Sequence, residues 1–285
     1  MLVCGLMGGG EADEGVSGMT RRRVLGLGLG LVGAGVAFGV GRLAGGDFST
    51  GGAMSIPDKR AASEGRLTAR PGRGADAGTS GLQQLKLEGG RDGLVYVPAA
   101  CAAGRPAPLM LMLHGAGGGA RNTLPLLQKL ADEAGLILLV PDSRGRTWDV
   151  LEGGYGPDVS YIDRALAQTF GRYAVDAARV AVGGFSDGAS YALSLGVTNG
   201  DLFTHVLAFS PGFMSPAGRR GSPALFVSHG TRDRVLPIDV CSRRLVPQAR
   251  RAGYRVEYRE FDGGHAVPPE IARDALEWFL KVKAE

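Results

Sequence analysis

The sequence predicts a doubly wound α/β domain over residues 81–285, whose mostly parallel sheet is entered by an antiparallel hairpin. Short apolar runs alternate with amphipathic segments along this part of the chain, which is typical of strands joined by helical crossovers. The runs are uninterrupted, as expected for strands covered on both faces. Apolar residues on both sides of Gly89-Gly90 indicate the hairpin.

The other elements follow the hairpin in chain order. The predicted strands span residues 108–113, 136–140, 179–183, 204–209, 224–228 and 255–261. The predicted helices span residues 121–134, 158–172, 187–198, 237–252 and 268–282. The pattern continues almost to the last residue, so a single domain accounts for residues 81–285.

The N-terminal residues have the pattern of an export signal. The basic residues 21–23 precede 18 uncharged residues, 24–41, and small residues follow at 44–46. This order is that of a secretory signal, and Thr20–Leu25 is similar to a twin-arginine signal. We expect residues 19–45 to bring the protein to the periplasm or the cell exterior through the export machinery. An uncleaved segment would instead tether it to the membrane.

Two further segments complete the expected domain organisation. Residues 1–18 carry three acidic residues, which are unusual at the start of a signal, and we hypothesise that translation starts at Met19. Residues 46–80 contain almost no large apolar residues. They are expected to form a flexible linker, because so little apolar burial cannot offset the entropy of ordering.

Charge and cysteine usage exclude several classes of function. Residues 1–80 carry 9 basic against 7 acidic side chains, and residues 81–285 carry 23 against 21. No basic block interleaves with aromatic residues, so a nucleic-acid partner is not expected. Cys101 and Cys241 lack the spacing of a metal or redox motif, and the sequence is compatible with a disulfide or with two thiols. No metal or organic cofactor is implied.

The residues 184–188, Gly-Phe-Ser-Asp-Gly, match the nucleophile motif Gly-x-Ser-x-Gly. The motif alone is weak evidence, because 48 of the 285 residues are Gly. Its context is more specific, since the predicted strand 179–183 precedes it and the predicted helix 187–198 follows it. A hydroxyl on such a turn lies at the positive end of a helix, so Ser186 is the candidate nucleophile.

A serine nucleophile needs a base and a carboxylate that orients the base. His265 lies in a loop between the last predicted strand and the last helix, and Asp233 follows the strand 224–228. The order Ser186, Asp233, His265 is that of the α/β-hydrolase triad. Asp239 and Asp262 are the rival carboxylates. Each of the other histidines is interpreted as structural: His114, His205 and His229.

The residues 114–119 follow the strand 108–113 and form a glycine-rich loop. Acyl transfer produces an oxyanion, which backbone N–H groups must already face. We expect one donor to be the amide of Asp187, directly after the nucleophile, and the other to be the amide of Ala116. His114 is expected to fix the loop.

Four segments carry a resemblance to a known family: LMLHGAGGG, VGGFSDGAS, SHGTRD and FDGGH. Together they resemble the α/β-hydrolase superfamily over residues 81–285. They are most similar to its compact carboxylesterase/phospholipase branch and to secreted polyhydroxyalkanoate-depolymerase-like esterases. The resemblance implies a serine hydrolase that cleaves small-molecule or oligomeric carboxylic esters through an acyl-enzyme. The chain departs from carboxylesterases at Asp187, often Gln there, and lacks an acidic residue around 119–121.

The resemblance also bears on how the triad is covered. Many relatives carry a lid between the sixth and seventh strands, whereas residues 210–223 are too few for one, so no lid domain is expected. Trp148, Tyr155 and Phe213 fall in loops on the ligand side of the sheet and are candidate pocket walls. Ordinary packing beneath the loops explains these aromatic residues equally well.

Two other functions fit parts of the sequence. The residues 115–120 fit Gly-x-Gly-x-x-Ala, and Asp142 lies 22 residues after Ala120, as in a dinucleotide-binding oxidoreductase. The preceding hairpin and the separate Ser–Asp–His order argue against that function. A non-catalytic binding protein on a hydrolase fold is the second alternative.

Overall fold

A computed structural model describes residues 59–72, 78–103 and 105–281. It contains eight strands: β1 Gly81–Gln84, β2 Gly93–Val97, β3 Ala107–Leu113, β4 Ile137–Pro141, β5 Val175–Phe185, β6 His205–Phe209, β7 Ala224–Gly230 and β8 Val256–Phe261. The α-helices are α1 Lys59–Ser63, α2 Ala120–Thr123, α3 Gln128–Ala134, α4 Asp149–Glu152, α5 Pro157–Arg172, α6 Asp187–Thr198, α7 Ser242–Arg251 and α8 Pro269–Lys281. Short 3₁₀ helices span Ala99–Ala103 and Leu124–Leu126.

The strands form one sheet in the order β1-β2-β4-β3-β5-β6-β7-β8. The pairs β1/β2 and β2/β4 are antiparallel, and the strands from β4 onward pair in parallel. The carboxyl ends of the parallel strands therefore meet at one edge of the sheet, where ligand sites of such folds form. The described residues 210–223 between β6 and β7 contain no helix. The predicted fold class is confirmed.

Apolar side chains cover both faces of the sheet. One buried cluster joins the sheet to α5, α6 and α7, and it includes Ile162, Leu193 and Leu245. The other joins the opposite face to α3 and α8, with Ala131 and Phe279 among its members. Because strands such as β3 and β4 are buried along their whole length, their sequences are continuously apolar rather than alternating.

Two helices differ from the prediction at their boundaries. The predicted helix 121–134 is divided into α2, a 3₁₀ turn and α3, because Pro125 has no amide hydrogen for a continuous helix. The predicted helix 237–252 begins only at Ser242. Asp239 consequently lies in the turn before α7 rather than inside the helix.

The linker prediction is wrong for the part of residues 46–80 that the structure describes. Residues 59–63 form α1, and the N-terminal strap (residues 64–70) packs on the helical layer of the sheet. Leu67 at the centre of the strap is only 1% exposed. One well-placed leucine therefore anchors a segment whose overall composition is that of a flexible chain.

A side chain in the middle of α5 and one at the end of α6 fix the strap. Asp163 accepts hydrogen bonds from the two successive amides of residues 68 and 69, at 2.7 and 2.8 Å. Asn199 accepts from the amide of Leu67 at 2.9 Å and donates to the carbonyl of Gly65 at 2.8 Å. These bonds satisfy backbone groups that would otherwise be buried without partners.

Replacing Leu67 by Ala is expected to lower the free energy of unfolding by about 2–4 kcal/mol, because it leaves a cavity under the strap. Equilibrium unfolding in urea measures the difference. Leu82→Ala is the matched control, since Leu82 is 50% exposed and its loss should cost less than about 0.5 kcal/mol. Equal effects of the two substitutions would show that the strap is not docked.

The expectations for the N-terminal signal, a membrane anchor and the cysteine pair concern residues that the structure describes only in part. The signal segment 19–45 and the proposed start at Met19 lie outside them. None of the helices in the described ranges is long and apolar enough to cross a membrane. Cys101 and Cys241, the cysteines within those ranges, are thiols and no disulfide joins them.

Candidate active site

Ser186 lies on a sharp turn between β5 and α6. Its backbone has φ 58° and ψ −120°, a conformation that is unfavourable for a residue with a side chain. The amide of Ser186 donates to the carbonyl of Phe209 at 2.9 Å, which ties the turn to the end of β6. Strained backbone of this kind is found where the surrounding structure enforces it, often at functional sites.

Gly188 allows the turn to approach the sheet. A Cβ atom on Gly188 would lie 2.3 Å from the carbonyl oxygen of Leu113 at the end of β3. No side chain fits at that distance, so the second glycine of the motif is a packing requirement. The first turn of α6 therefore lies directly beside the loop that follows β3.

The structure brings the three predicted triad residues together. His265 Nε2 lies 2.8 Å from Ser186 Oγ, and His265 Nδ1 lies 2.6 Å from Asp233 Oδ2. Because the carboxylate can only accept, Nδ1 carries the proton and Nε2 is the acceptor for the serine hydroxyl. This tautomer is the one that a general base for Ser186 requires.

The surroundings of Asp233 keep it ionised and oriented. The amides of Val235 and Leu236 donate to Asp233 Oδ1 at 2.9 and 2.8 Å. Burial alone would raise the pKa of Asp233, but the hydrogen bond from His265 and those from the two amides lower it overall. A carboxylate held in this way presents Oδ2 to the histidine.

The rival carboxylates are not placed to serve as the third member. Asp262 pairs with Arg232 at 2.6 Å, and Asp239 pairs with Arg243 at 2.8 Å. Both aspartate side chains are 77% exposed. Their partners are surface arginines, so neither orients the imidazole of His265.

The two predicted oxyanion donors flank the nucleophile. Asp187 is the first residue of α6, and its amide has no acceptor within the helix. A Cβ atom on Gly115 would lie 3.3 Å from the Cβ of Ser186, so the loop that carries Ala116 packs against the nucleophile. Among the described residues, the amide of Ala116 donates no backbone hydrogen bond. Neither predicted donor therefore has a backbone acceptor among the described residues.

His114 fixes this loop, as expected. Its Nδ1 lies 2.8 Å from the carbonyl of Gly115, and its Nε2 accepts from the amide of Ser143 at 2.9 Å. Burial lowers the pKa of His114, which keeps the imidazole neutral and able to accept that bond.

The aromatic candidates for pocket walls have different positions. The prediction for Trp148 is wrong: its side chain is fully buried, stacks on Tyr191 and donates to the carbonyl of His114 at 2.8 Å. Tyr155 packs beside Tyr191 and donates to a backbone carbonyl, so packing accounts for it. Phe213 is half-buried and remains a candidate.

Sequence reasoning missed two side chains that hold the glycine-rich loop and the start of α6. Arg91 donates to the carbonyls of Gly118, at 2.9 Å, and Ser143, at 2.7 Å. Thr147 donates to the carboxylate of Asp187 at 2.7 Å. No spacing in the sequence connects either residue with the motifs, because both contacts join segments that are distant along the chain.

A reciprocal carboxylate pair closes the loop that carries Thr147. Asp158 accepts from the amides of Arg144 and Asp149 at 2.6 and 2.7 Å, and Asp149 accepts from the amides of Gly156 and Asp158, both at 2.9 Å. Burial raises the pKa of Asp158 to about 6. The folded protein therefore holds this proton more strongly than the unfolded chain, and stability falls as pH rises from about 4 to about 6.

Between about pH 4 and about pH 7 the wild type is expected to lose about 2–3 kcal/mol of unfolding free energy relative to Asp158→Asn. The Asn variant has no proton to release at this position, so its stability should depend less on pH. Urea unfolding at both pH values measures the difference. The exposed Asp239→Asn should follow the wild type, and a pH dependence of Asp158→Asn equal to that of the wild type would contradict the assignment.

A cavity of about 580 Å³ lies between the β1–β2 hairpin and the start of α2. Its lining is mostly polar, with Asp92, Arg121 and Asp142 among the contributors, and no triad residue lines it. Asp142 accepts the amide hydrogen of Ala120 at 2.6 Å and so caps α2. In a dinucleotide-binding enzyme the acidic residue at this place would instead bind the ribose. The described residues contain no group of three His, Cys, Asp or Glu that could hold a metal.

Part of the chain matches a known family. Residues 159–282 match the family model described as Phospholipase/Carboxylesterase. A search of curated sequences found no significant match. The family match supports the enzyme class, an esterase or related hydrolase.

Solved structures similar to this chain are esterases and related hydrolases. The esterase PE8 is 22% identical, with a TM-score of 0.56 over 67% of this chain and 99% of that one. The Bacillus cereus carboxylesterase is 19% identical, with a TM-score of 0.52 over 68% and 95%. S-formylglutathione hydrolase from Agrobacterium tumefaciens is 19% identical, with a TM-score of 0.56 over 74% and 97%. The predicted resemblance to the α/β-hydrolase superfamily is confirmed, and these structures show the fold.

Proposed function

We propose that this α/β-hydrolase is a serine esterase that cleaves carboxylic esters through an acyl-enzyme. The observation that carries the proposal is the continuous chain of hydrogen bonds from Ser186 Oγ through His265 to Asp233. It begins on a strained turn that holds the hydroxyl at the start of α6. A non-catalytic binding protein would have no need for this combination of strain, tautomer and orientation.

In the first half of the reaction Ser186 Oγ attacks the ester carbonyl while His265 Nε2 takes its proton. The imidazolium that forms is stabilised by Asp233, which stays ionised. Collapse of the tetrahedral intermediate breaks the bond to the leaving alcohol, and His265 returns the proton to that oxygen. Water then repeats the sequence on the acyl-enzyme, with His265 again as base.

The negative charge of the tetrahedral intermediate develops on the former carbonyl oxygen. The amides of Ala116 and Asp187 are the proposed donors to it, and the N-terminal end of α6 adds a favourable dipole. Thr147 keeps the carboxylate of Asp187 turned aside through its hydroxyl, at 2.7 Å. An uncontrolled carboxylate at this position would oppose the oxyanion, so we infer that this bond compensates for the acidic residue.

Acyl chain length distinguishes the classes of ester that this site could cleave. Hydrolysis of p-nitrophenyl esters from acetate to laurate by the full chain, beside Ser186→Ala, tests the proposal. We expect turnover by the wild type alone, with an acyl-length preference that separates carboxylesterase, phospholipase and depolymerase-like activity. Folded protein without turnover of any ester would favour a binding function.

We also propose that the protein is exported, which rests on the signal-like residues 19–45 alone. Replacing Arg21 and Arg22, the pair that follows Thr20, together by Lys is expected to retain the protein in the cytoplasm, since the twin-arginine pathway reads this pair. Fractionation of the native host measures the distribution. Unchanged export of the double variant would contradict use of this pathway.

A further inference from the structure

His229 lies directly behind the triad and is fully buried at the end of β7. Its Nε2 lies 2.7 Å from the carbonyl oxygen of Leu236 and 3.3 Å from Asp233 Oδ2. Its Nδ1 lies 2.7 Å from the hydroxyl of Ser242, the first residue of α7. Both ring nitrogens of His229 therefore contact residues of the loop 233–242.

The partners determine which nitrogen carries the proton. Nε2 faces a carbonyl and a carboxylate, which only accept, so Nε2 must be protonated. Nδ1 then has a lone pair, which accepts the proton of the Ser242 hydroxyl. Burial lowers the pKa of His229, which keeps this neutral form.

These bonds close a ring around Asp233. The amide of Leu236 donates to Asp233 Oδ1 at 2.8 Å, and the carbonyl of the same residue accepts from His229. Asp233 Oδ2 receives His265 at 2.6 Å and has His229 on its other side. Rotation of the carboxylate would break the bond from His265 and the bonds from the loop together.

We propose that His229 is a positioning residue for the triad, which fixes the turn 233–236 and thereby the direction of Asp233 Oδ2. The inference rests on the proposed esterase function. His229 acts through Asp233 and does not touch the reacting atoms. During the reaction it keeps the carboxylate aligned while His265 becomes charged, and it remains neutral itself.

The amides Asn and Gln provide a matched test, because they differ in which imidazole nitrogen they replace. In His229→Gln the side-chain nitrogen reaches the position of Nε2 and can donate to Leu236 and Asp233. In His229→Asn the polar group reaches only the position of Nδ1, near Ser242. We expect kcat of the Asn variant to fall about ten- to a hundredfold with KM nearly unchanged, because buried acceptors lose their donor. The Gln variant should recover most of the activity.

The proton on His265 Nδ1 gives a readout that does not depend on turnover. In the full-length wild type we expect this proton to give a strongly deshielded ¹H signal, because its bond to Asp233 is short, at 2.6 Å. We expect the signal to persist in His229→Gln and to shift or disappear in a folded His229→Asn. If the Asn variant does not fold, His229→Gln decides the question, because it retains only the donor at the position of Nε2. Loss of the signal and of kcat in a folded Gln variant would overturn the proposal.

The outcomes separate this proposal from the esterase function. Equal losses of kcat in folded Asn and Gln variants would show that His229 only fills space in the core. The esterase function would still be supported if Ser186→Ala had no activity. Wild-type protein without esterase activity would remove the proposed function. In that case the ¹H signal of the two variants still decides whether His229 orients the Asp233–His265 pair.

Discussion

Replacing Ser186 by Ala is expected to lower kcat for ester hydrolysis by about 10⁵- to 10⁶-fold. In the proposed mechanism the hydroxyl at 2.8 Å from His265 forms the acyl-enzyme, and the Ala variant lacks this atom. The oxyanion donors and the binding of the ester would remain, so slow attack by water is the expected residual reaction. Steady-state kinetics on the best p-nitrophenyl ester measures the loss.

Ser228→Ala is the matched control for this substitution. Ser228 is buried in the neighbouring part of the sheet, and its hydroxyl has no hydrogen-bond partner among the described residues. Its loss removes the same atom from a similar environment without touching the triad, so kcat should stay within about twofold of the wild type. A comparable loss in both variants would point to disturbed packing instead of chemistry.

Replacing Asp233 by Asn is expected to lower kcat about 10⁴-fold while the fold is retained. The Asn amide would donate to His265 Nδ1. The imidazole would then carry its proton on Nε2, and Nε2 could not accept the serine hydrogen. The amides of Val235 and Leu236 can still bond to the remaining side-chain oxygen, so the turn should persist. The kinetic loss therefore reports the tautomer of His265.

Asp239→Asn and Asp262→Asn are the controls, since the sequence offered these two carboxylates as alternatives to Asp233 for the third member of the triad. Both lie on the surface with arginine partners, and each substitution should change kcat by less than about twofold. A loss at Asp262 as large as that at Asp233 would reassign the third member of the triad.

The sequence was sufficient to predict the sheet and to identify three side chains that the structure brings together. The strands are continuously apolar, and the glycines of 184–188 occur where a strand meets a helix, so both signals are local. His265 and Asp233 were identified from their positions after strands, because carboxyl ends of parallel strands meet at one edge. The structure brings both to Ser186.

Contacts between distant segments were not predictable from the sequence where no motif or strand end marks them. The strap is held by Leu67 and by Asp163, almost a hundred residues away, and neither appears in a local pattern. Trp148 was a candidate pocket wall because its loop is at the ligand edge, yet it is buried and stacks on Tyr191. The position of a loop along the chain does not determine which side its side chains face.

For His229, too, the sequence predicts burial but not the contacts that the side chain makes. Its place at the end of an apolar strand predicts a buried structural histidine, which agrees with its full burial. Its neighbours add what the sequence could not, namely that the turn after Asp233 returns to this imidazole at 2.7 Å.

Covalent labelling with a fluorophosphonate tests the central claim most directly. We expect the full-length wild type to gain the mass of one phosphonyl group, with the modified peptide containing Ser186, and Ser186→Ala to gain none. His265→Ala should label far more slowly, because the hydroxyl would lack its base. A folded wild type that does not react, or a label that falls on a serine other than Ser186, would contradict the assignment of this chain as a serine esterase.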